Sequence, residues 1–204
     1  MTYQKSLPYL ILMIALLFFA YRVPNMGTEK YNIDKKESVI TYRGSMKFDP
    51  RAQHIGYVYI SKGELLIEKD QLVGGMVEID MNTLADKDHG SDNDLVNHLK
   101  SADFFDVKKF PTSTFAFTKV EPAMGANGEN IKVTGSLTIK GITNTVTFPA
   151  RLEGNDGNVQ ANGKLIIDRT LWDVRYNSGK YFPDLGNEII SDSIEFQMKI
   201  VAKK

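Results

Sequence analysis

Apolar and polar side chains alternate along most of this chain with a period of two, which is the pattern of strands that bury one face. Residues that tolerate a positive φ separate several of the alternating segments, as at Asn127-Gly128 and Lys140-Gly141. The pattern therefore predicts about eight antiparallel strands. They cover residues 38–42, 54–67, 75–81, 112–120, 129–139, 143–152, 158–167 and 190–201.

The apolar face of such a sheet has to be covered, either by packing two sheets together or by closing the strands into a barrel. The alternation alone favours neither arrangement. It does define the residues of one face, which would fill an ordinary core or line a ligand cavity, and a core is the usual role of such residues. On the central strands these residues include Val77, Ile79, Phe115, Phe117, Val133, Leu137, Val146, Phe148, Leu165, Phe196 and Met198.

One segment interrupts the alternation. Residues 91–100 begin with helix-capping side chains and place Leu95, Val96 and Leu99 on one face, which predicts a short helix. The aromatic residues of the next segment, 102–107, are predicted to plug one end of the sheet assembly. A smaller helical turn is predicted at 170–173.

The chain begins with a different pattern. Residues 7–20 are a continuous apolar run of 14 residues between Lys5 and Arg22. As a helix this run would be about 21 Å long, shorter than the hydrocarbon core of about 30 Å and typical of a signal-peptide core. We therefore expect residues 1–28 to be a signal peptide or an N-terminal signal anchor, with membrane contact through residues 7–20 if the segment is not cleaved. A buried N-terminal helix is the alternative.

The remainder, 29–204, contains no repeat, low-complexity tract or linker, which predicts one domain. Behind an export segment, this domain would be periplasmic or otherwise extracytoplasmic, either secreted or anchored to the membrane by the N-terminal segment. We expect it to be a monomer or a weak homodimer.

Composition narrows the chemistry that the chain can perform. Because it has no cysteine, it can form no disulfide, thiolate metal site or thiol nucleophile, and it lacks the residue that is acylated in bacterial lipoproteins. Basic residues (Lys plus Arg) and acidic residues (Asp plus Glu) each number 25, so no net field favours nucleic acid as a partner.

Candidate catalytic and metal-binding residues are few. His54, His89 and His98 belong to no familiar catalytic array, which disfavours an enzyme. The acidic loop 86–94 has enough carboxylates for a calcium site, but their spacing does not match an EF-hand loop, and a solvated loop with helix-capping carboxylates explains the same residues. We therefore predict neither catalysis nor a bound metal.

A group of charged residues lies near the predicted turn at 170–173. Asp168 and Arg169, with Arg175, Tyr176 and Asp184 downstream, would form an ion-paired clasp at one end of the sheet assembly or contact a polar headgroup. The clasp is the commoner use of such residues, because an arginine–carboxylate pair can fix a loop without any ligand.

Two stretches of the sequence carry a family resemblance. They are 98–111 (HLKSADFFDVKKFP) and 133–143 (VTGSLTIKGIT), and both resemble the YceI-like family of polyisoprenoid-binding proteins. Residues 168–170, 176–179 and the late strand through 196–201 are also similar to the family, so that the resemblance spans about residues 29–203. Many members open with a Phe-x-Val-x-His strand that is not found here.

The resemblance implies a lipocalin-like barrel of eight antiparallel strands with a short helix insertion. It also implies a tunnel that holds one isoprenoid lipid, either a polyisoprenoid or an isoprenoid quinone, as ligand and without a cofactor. Eight strands leave an interior wide enough for side chains or one small ligand, so the geometry permits this. The inward-facing apolar residues named above would then line the tunnel.

Trp172, the only tryptophan, completes the predicted ligand-binding set. It would lie at a barrel end, either in contact with the ligand or packed at the rim against Phe182 or Tyr176. The expected function is thus non-catalytic binding, and possible transport or storage, of an isoprenoid lipid. The alternative is a closed-core barrel with a stress-protection or protein-interaction role at the cell envelope.

Overall fold

The computed structural model describes residues 27–155 and 157–204. The predicted export segment, 7–20, lies outside these residues. Within them, none of the helices has the length and apolar character needed to cross a bilayer. The elements are β1 (Glu29–Ile33), β2 (Val39–Ser45), β3 (Gln53–Glu68), β4 (Gln71–Asp86), α1 (Asp94–Lys100), β5 (Thr112–Pro122), β6 (Ile131–Ile139), β7 (Ile142–Asn155), β8 (Asn158–Asp168), two 3₁₀ segments at Arg169–Trp172 and Pro183–Glu188, and β9 (Ser193–Lys203).

The strands form one closed antiparallel barrel. From β4 to β9 each strand pairs with the next along the chain, β9 pairs with β2 and β1, and these pair with β3, which closes the ring by pairing with β4. Strands β1 and β2 share one position in the ring, because β1 pairs with residues 64–67 of β3 and β2 with residues 53–58. The predicted eight-stranded antiparallel barrel is therefore confirmed.

The sequence pattern missed β1 and shortened β4. Strand β1 has five residues and buries only Tyr31 and Ile33, which is too short a pattern to recognise as alternation. Strand β4 was predicted as 75–81, but it continues in both directions beyond shifts of register in its pairing with β3. At each shift the alternation skips a residue, so that a strict period of two ends there although the strand does not.

A single hydroxyl group joins β9 to the break between β1 and β2. The backbone N–H of Val201 donates to Oγ of Ser38 (2.9 Å), and this hydroxyl donates to the carbonyl of Val201 (3.2 Å). The N–H of Asp34 donates to the same carbonyl at 2.8 Å. The hydroxyl of the buried Ser38 thus takes the place of a backbone hydrogen-bond partner. The N–H and carbonyl of Val201 therefore stay hydrogen-bonded at the break between β1 and β2.

The two ends of the barrel differ in their connections. At the end that we call the hairpin end lie the β3–β4, β5–β6 and β7–β8 hairpins and the break between β1 and β2. Lys69 and Asp70, with φ of 51° and 61°, form a tight turn there whose twist matches that of the strands. At the opposite end, which we call the loop end, lie the connections 46–52, 87–111, 140–141 and 169–192.

Helix α1 lies in the loop-end connection that follows β4. The side chain of Asn93 caps the helix by accepting a hydrogen bond from the N–H of Val96 (3.0 Å). Two residues of the helix, Val96 and Leu99, form its buried face. Phe104 and Phe105 are buried directly afterwards. The predicted short helix and the aromatic plug at one barrel end both agree with this arrangement.

The barrel interior is packed solidly only at the hairpin end. Inward-facing residues there are buried and do not line the apolar cavity in the middle of the barrel. They form a plug that we define as Tyr31, Ile33, Ile67, Val159 and Ala202.

Candidate ligand-binding site

Above this plug the barrel encloses a cavity of about 260 Å³. A cavity of about 150 Å³ lined by aliphatic and aromatic side chains is large enough to bind benzene, so this one has room for a larger apolar group. Its wall is almost entirely apolar and draws on β2 to β9 and on α1. The interior is therefore a packed core at one end and a cavity in the middle.

Ten of the predicted ligand-binding residues lie in the cavity wall, and two do not. Val146 faces inward on β7 and packs against the core beside the wall. Trp172 is part of the buried core but does not line the cavity. The ten in the wall are Val77, Ile79, Phe115, Phe117, Val133, Leu137, Phe148, Leu165, Phe196 and Met198. The alternation placed these strands' apolar faces correctly, and their contact with a ligand stays a prediction.

Trp172 is buried in the 3₁₀ segment Arg169–Trp172. Its indole Nε1–H donates to the carbonyl of Leu137 at 3.0 Å, so that the polar atom of the ring is satisfied within the protein. The ring therefore braces the loop end against β6 and does not line the cavity.

An aromatic cluster forms one side of the wall. The ring of Phe115 lies 5.0 Å from that of Phe117 and 5.7 Å from that of Phe148, between centroids. Gly135 makes room for it, because a Cβ there would lie 2.2 Å from Cζ of Phe115. Phe117 keeps accessible surface although it faces inward, since it borders empty space.

The cavity opens at the loop end. On β3 the inward-facing series Ile60, Val58 and Gly56 continues to His54, which lines the cavity and is exposed. Across from it on β2, a Cβ added to Gly44 would find no atom within 4 Å. We call this opening the mouth. It is bordered by Gly44, Ser45, Met46, His54, Leu95, His98, Ile190 and Ser191.

A buried arginine holds the long connection beside the mouth. Arg169 is 1% exposed, and its guanidinium donates to the carbonyls of Val174 (2.8 Å), Ser191 (3.0 Å) and Ile190 (3.3 Å). Burial lowers its pKa, against the opposing effect of the Asp192 carboxylate 3.6 Å away. The side chain therefore ties both ends of the 174–191 connection to the end of β8.

The other charged residues near this turn complete the clasp. Asp168 accepts hydrogen bonds from the N–H (3.0 Å) and hydroxyl (2.6 Å) of Thr170 and pairs with Lys180. Burial raises the pKa of Asp168, but the hydrogen bonds from Lys180 and Thr170 outweigh burial and lower it overall. The clasp interpretation agrees with the structure in part: Asp168 and Arg169 do fix this end of the barrel, but Arg169 binds mainly backbone carbonyls rather than forming a carboxylate fork, and Arg175 pairs with Asp173.

Two polar side chains of the wall, those of Tyr42 and His98, were not among the residues predicted to line a cavity. Tyr42 donates to the carbonyl of Ala85 (3.1 Å), and burial, with the nearby charge of Asp86, raises its pKa to about 12. The ring of His98 packs against that of Tyr176, 4.3 Å away, and its Nε2 is buried without a hydrogen-bond partner among the described residues. The period-two series on β2 could have identified Tyr42, whereas His98 sits on a helix whose docking no pattern reveals.

In the acidic loop before α1, the carboxylate of Asp86 bonds to groups of the loop itself. Asp86 accepts hydrogen bonds from the N–H groups of Asp88 (3.0 Å) and His89 (2.9 Å) and contacts Nδ1 of His89 at 2.9 Å. Over the part of the chain that the structure describes, no three or more His, Asp or Glu side chains are grouped so that they could hold a metal ion.

Comparison with known proteins gives matches over most of this barrel. The family model described as the YceI-like domain matches residues 31–202. A UPF0312 protein of Enterobacter sp. strain 638 is 31% identical over 142 residues, which is 67% of this chain and 70% of that protein. An alignment with a UPF0312 protein of Pseudomonas aeruginosa covers 54% of that relative's length.

Solved structures share the fold. The crystal structure of Burkholderia cenocepacia BcnA matches with a TM-score of 0.66 at 23% identity, over 84% of this chain and 99% of that one. A domain from Saccharophagus degradans described as polyisoprenoid binding matches with a TM-score of 0.58 at 12% identity, over 85% of this chain and 97% of that one.

Proposed function

This chain belongs to the YceI-like family, and we propose that its barrel binds one isoprenoid lipid, a polyisoprenoid or an isoprenoid quinone, with the chain of the lipid inside the cavity. The observation that carries the proposal is the apolar cavity with an open mouth. The similar fold of a domain described as polyisoprenoid binding supports it.

The energetics of burial favour a branched hydrocarbon chain in this cavity. Burying a methylene group contributes about 0.8 kcal/mol, so a five-carbon isoprene unit contributes about 3 to 4 kcal/mol before ordering costs. By comparison with a benzene-sized cavity, the enclosed space has room for about ten carbons, with any further length reaching toward the mouth. Affinity would then come from the chain and not from polar contacts.

The distribution of polar groups along the cavity indicates the orientation of the lipid. Near the hairpin end its wall is formed by residues such as Leu65, Leu72 and Ile200, which offer no side-chain hydrogen bond. At the mouth lie the imidazoles of His54 and His98. We expect the chain to enter first and the polar head to remain at the mouth, because an unpaired polar group deep in the wall would lose its hydrogen bonds to water.

A pair of neighbouring substitutions on β9 tests the proposal. Met198 faces the cavity and keeps accessible surface, so Met198→Trp would fill empty space, whereas the adjacent Gln197 is exposed on the outer face of the barrel. Titration with a ubiquinone that carries two isoprene units should give one site per chain. We expect Met198→Trp to weaken binding at least tenfold and Gln197→Trp to leave it unchanged.

Circular dichroism should show both variants folded. Equal affinities of folded Met198→Trp and the unaltered chain would contradict binding in this cavity. If neither geranylgeraniol nor the quinone binds the unaltered chain, the alternative of a closed envelope barrel with a protective or interaction role gains support. Native mass spectrometry of protein purified from its own cell envelope would identify the natural lipid.

We further propose that the barrel is extracytoplasmic and does not turn over its ligand. The apolar run at 7–20 supports export. The buried Nε2 of His98 at the mouth has no hydrogen-bond partner among the described residues, which gives no support to an acid–base role. The mass of the mature N-terminus, measured on native protein, would show whether residues 1–28 are removed. Recovery of chemically unchanged lipid after prolonged incubation is the outcome expected of a binding protein.

A further inference from the structure

Four exposed aromatic side chains lie close together at the loop end. Phe48, Tyr176, Tyr181 and Phe182 are 61%, 37%, 43% and 48% exposed, although rings of this size are usually covered in a folded domain. They belong to two loop-end connections, 46–52 and 169–192. We call these four residues the aromatic rim.

The two connections that carry the rim are joined beside the mouth. Met46 and Ser178 both form β-bridges to Ile190, so the segments run side by side, and Met46 and Ile190 border the mouth. The N–H groups of Tyr181 and Phe182 donate to the carbonyl of Ser178. Tyr176 in turn packs on His98, which lines the cavity. The rim therefore flanks the opening of the cavity.

Each connection also places a cation over one of the rings. Nζ of Lys47 lies 5.5 Å from the ring centroid of Phe48, and the guanidinium carbon of Arg175 lies 4.6 Å from that of Tyr181. Exposed aromatic rings with a long basic side chain beside them suit the headgroup region of a bilayer, where the ring is partly desolvated and the cation stays hydrated.

We propose that the aromatic rim docks the mouth of the barrel on a phospholipid bilayer, so that lipid passes between bilayer and cavity without crossing water. This proposal rests on the proposed function, because only a cavity that exchanges an insoluble lipid needs its mouth at a membrane. The cations of the two connections, 46–52 and 169–192, are matched in number by acids: Lys47, Arg51, Arg169, Arg175 and Lys180 against Asp49, Asp173, Asp184, Glu188 and Asp192. Docking should therefore depend on the rings, and a zwitterionic bilayer should suffice.

The absence of cysteine allows a test with a single fluorescent label on the full chain. Phe48→Cys places an environment-sensitive label on the rim. Met124→Cys places the same label at the hairpin end, where Met124 is fully exposed. On adding phosphatidylcholine vesicles, we expect the label at position 48 to shift to the blue, gain severalfold in emission and be quenched by a lipid-borne nitroxide. The label at position 124 should change little, which controls for tethering through residues 7–20.

A second measurement asks whether docking serves lipid exchange. Combining Tyr181→Ser with Phe182→Ser should slow transfer of a long-chain quinone from vesicles at least fivefold, whereas affinity for the two-unit ubiquinone in solution should not change. Ile166→Ser, which removes an exposed apolar residue from the outer face of β8, is the matched control and should leave transfer unaltered.

Several outcomes would overturn the proposal. A response at position 124 instead of 48 would mean that the hairpin end meets the membrane. A response at 48 that depends on protein concentration without vesicles would mean that a second copy covers the rim. If the solution titration shows no ligand binding at all, the proposed function has failed; if binding is normal and the label at 48 is silent, only the docking proposal has failed.

Discussion

The two ends of this barrel are closed by different means. At the hairpin end no connection is longer than eight residues, the turn at Lys69 and Asp70 follows the twist of the strands, and a plug of apolar side chains fills the interior. At the loop end two of the connections, 87–111 and 169–192, are long, and the buried Arg169, the helix α1 and Trp172 hold them in place. The first end is closed by local geometry, and the second by contacts between segments distant in sequence.

This difference separates stability from access. The plug of apolar side chains at the hairpin end can stay packed at all times, and it forms the floor of the cavity. The loop end must leave an opening, so its connections cannot be packed against one another throughout. Polar anchors such as the carbonyls around Arg169 fix the loops at a few points and leave the mouth free between them. The end that carries the mouth is thus the one whose connections are held by few contacts.

The largest effect is expected from removing the arginine at the loop end. Arg169→Met keeps the bulk of the side chain but leaves the carbonyls of Val174, Ile190 and Ser191 without their donor, and should cost about 3 kcal/mol of unfolding free energy. Arg151 is the matched control near the hairpin end, because it is exposed and its one ion pair within 27–155 and 157–204 is with Glu153. Arg151→Met should change stability by less than about 0.5 kcal/mol.

Urea denaturation measures both changes. Hydrogen exchange should then show faster opening of residues 174–191 in the Arg169 variant and unaltered protection in β1 and the β3–β4 hairpin. Equal losses for the two arginine variants would contradict the view that the loop end depends on this anchor.

Truncating one isoleucine at each end sharpens the comparison. Ile67 is buried in the plug, so Ile67→Ala should leave a new void and cost about 2 to 3 kcal/mol. Ile190 borders the mouth and keeps accessible surface, so Ile190→Ala enlarges space that is already open and should cost about 1 kcal/mol. Thermal and urea unfolding give the two values, and a larger loss at position 190 would show that the mouth is packed rather than open.

The smallest effect concerns pH and the carboxylate that organises the turn before α1. Burial raises the pKa of Asp86, but hydrogen bonds from the side chain of His89 and the backbone N–H groups of Asp88 and His89 outweigh burial, so that the pKa lies below its usual value of 3.8. A carboxylate with a lowered pKa in the folded state contributes stability above pH 3.8, and that contribution disappears as the pH falls through the folded-state pKa.

Asp86→Asn removes this contribution. Between pH 5 and pH 3 the Asp86 carboxylate begins to protonate, at about pH 4 in the unfolded chain. The melting temperature of the unaltered chain should therefore fall a few degrees more than that of the variant, since about 1 kcal/mol corresponds to 2–4 °C in a domain of this size. Calorimetry at several pH values checks the difference. Parallel melting curves for the two proteins would show that Asp86 does not titrate with unfolding.

Much of the fold could be predicted because its signals are local. Alternation identified the long strands, the Lys140-Gly141 turn joins β6 to β7 where expected, and the capping residues around Asn93 start the predicted helix. Each signal depends on neighbours a few residues apart, whose geometry is fixed by backbone stereochemistry. The family resemblance then added closure into a barrel, on which alternation is silent.

The candidate site was predictable only in part. Period two placed the side chains of β4 to β9 on the inner face, which is why ten of the predicted residues reach the cavity wall. It gave no reason to exclude Trp172, whose burial depends on the carbonyl of Leu137, far away in sequence, or to include His98 and Ile190. These residues lie in the connections between strands, where the period of two does not apply.

The sequence by itself therefore determined all the strands but β1, although with a shortened β4, as well as the helix, several turns and which side chains of most strands point inward. Only the tertiary structure decided that β1 and β2 share one position, that the plug fills one end, and that empty space remains between Met198, Phe117 and the mouth. The reason is physical. The geometry of one strand decides which of its side chains point inward. A cavity, in contrast, is the difference between the volume inside the closed barrel and the volume of the side chains that all its strands contribute.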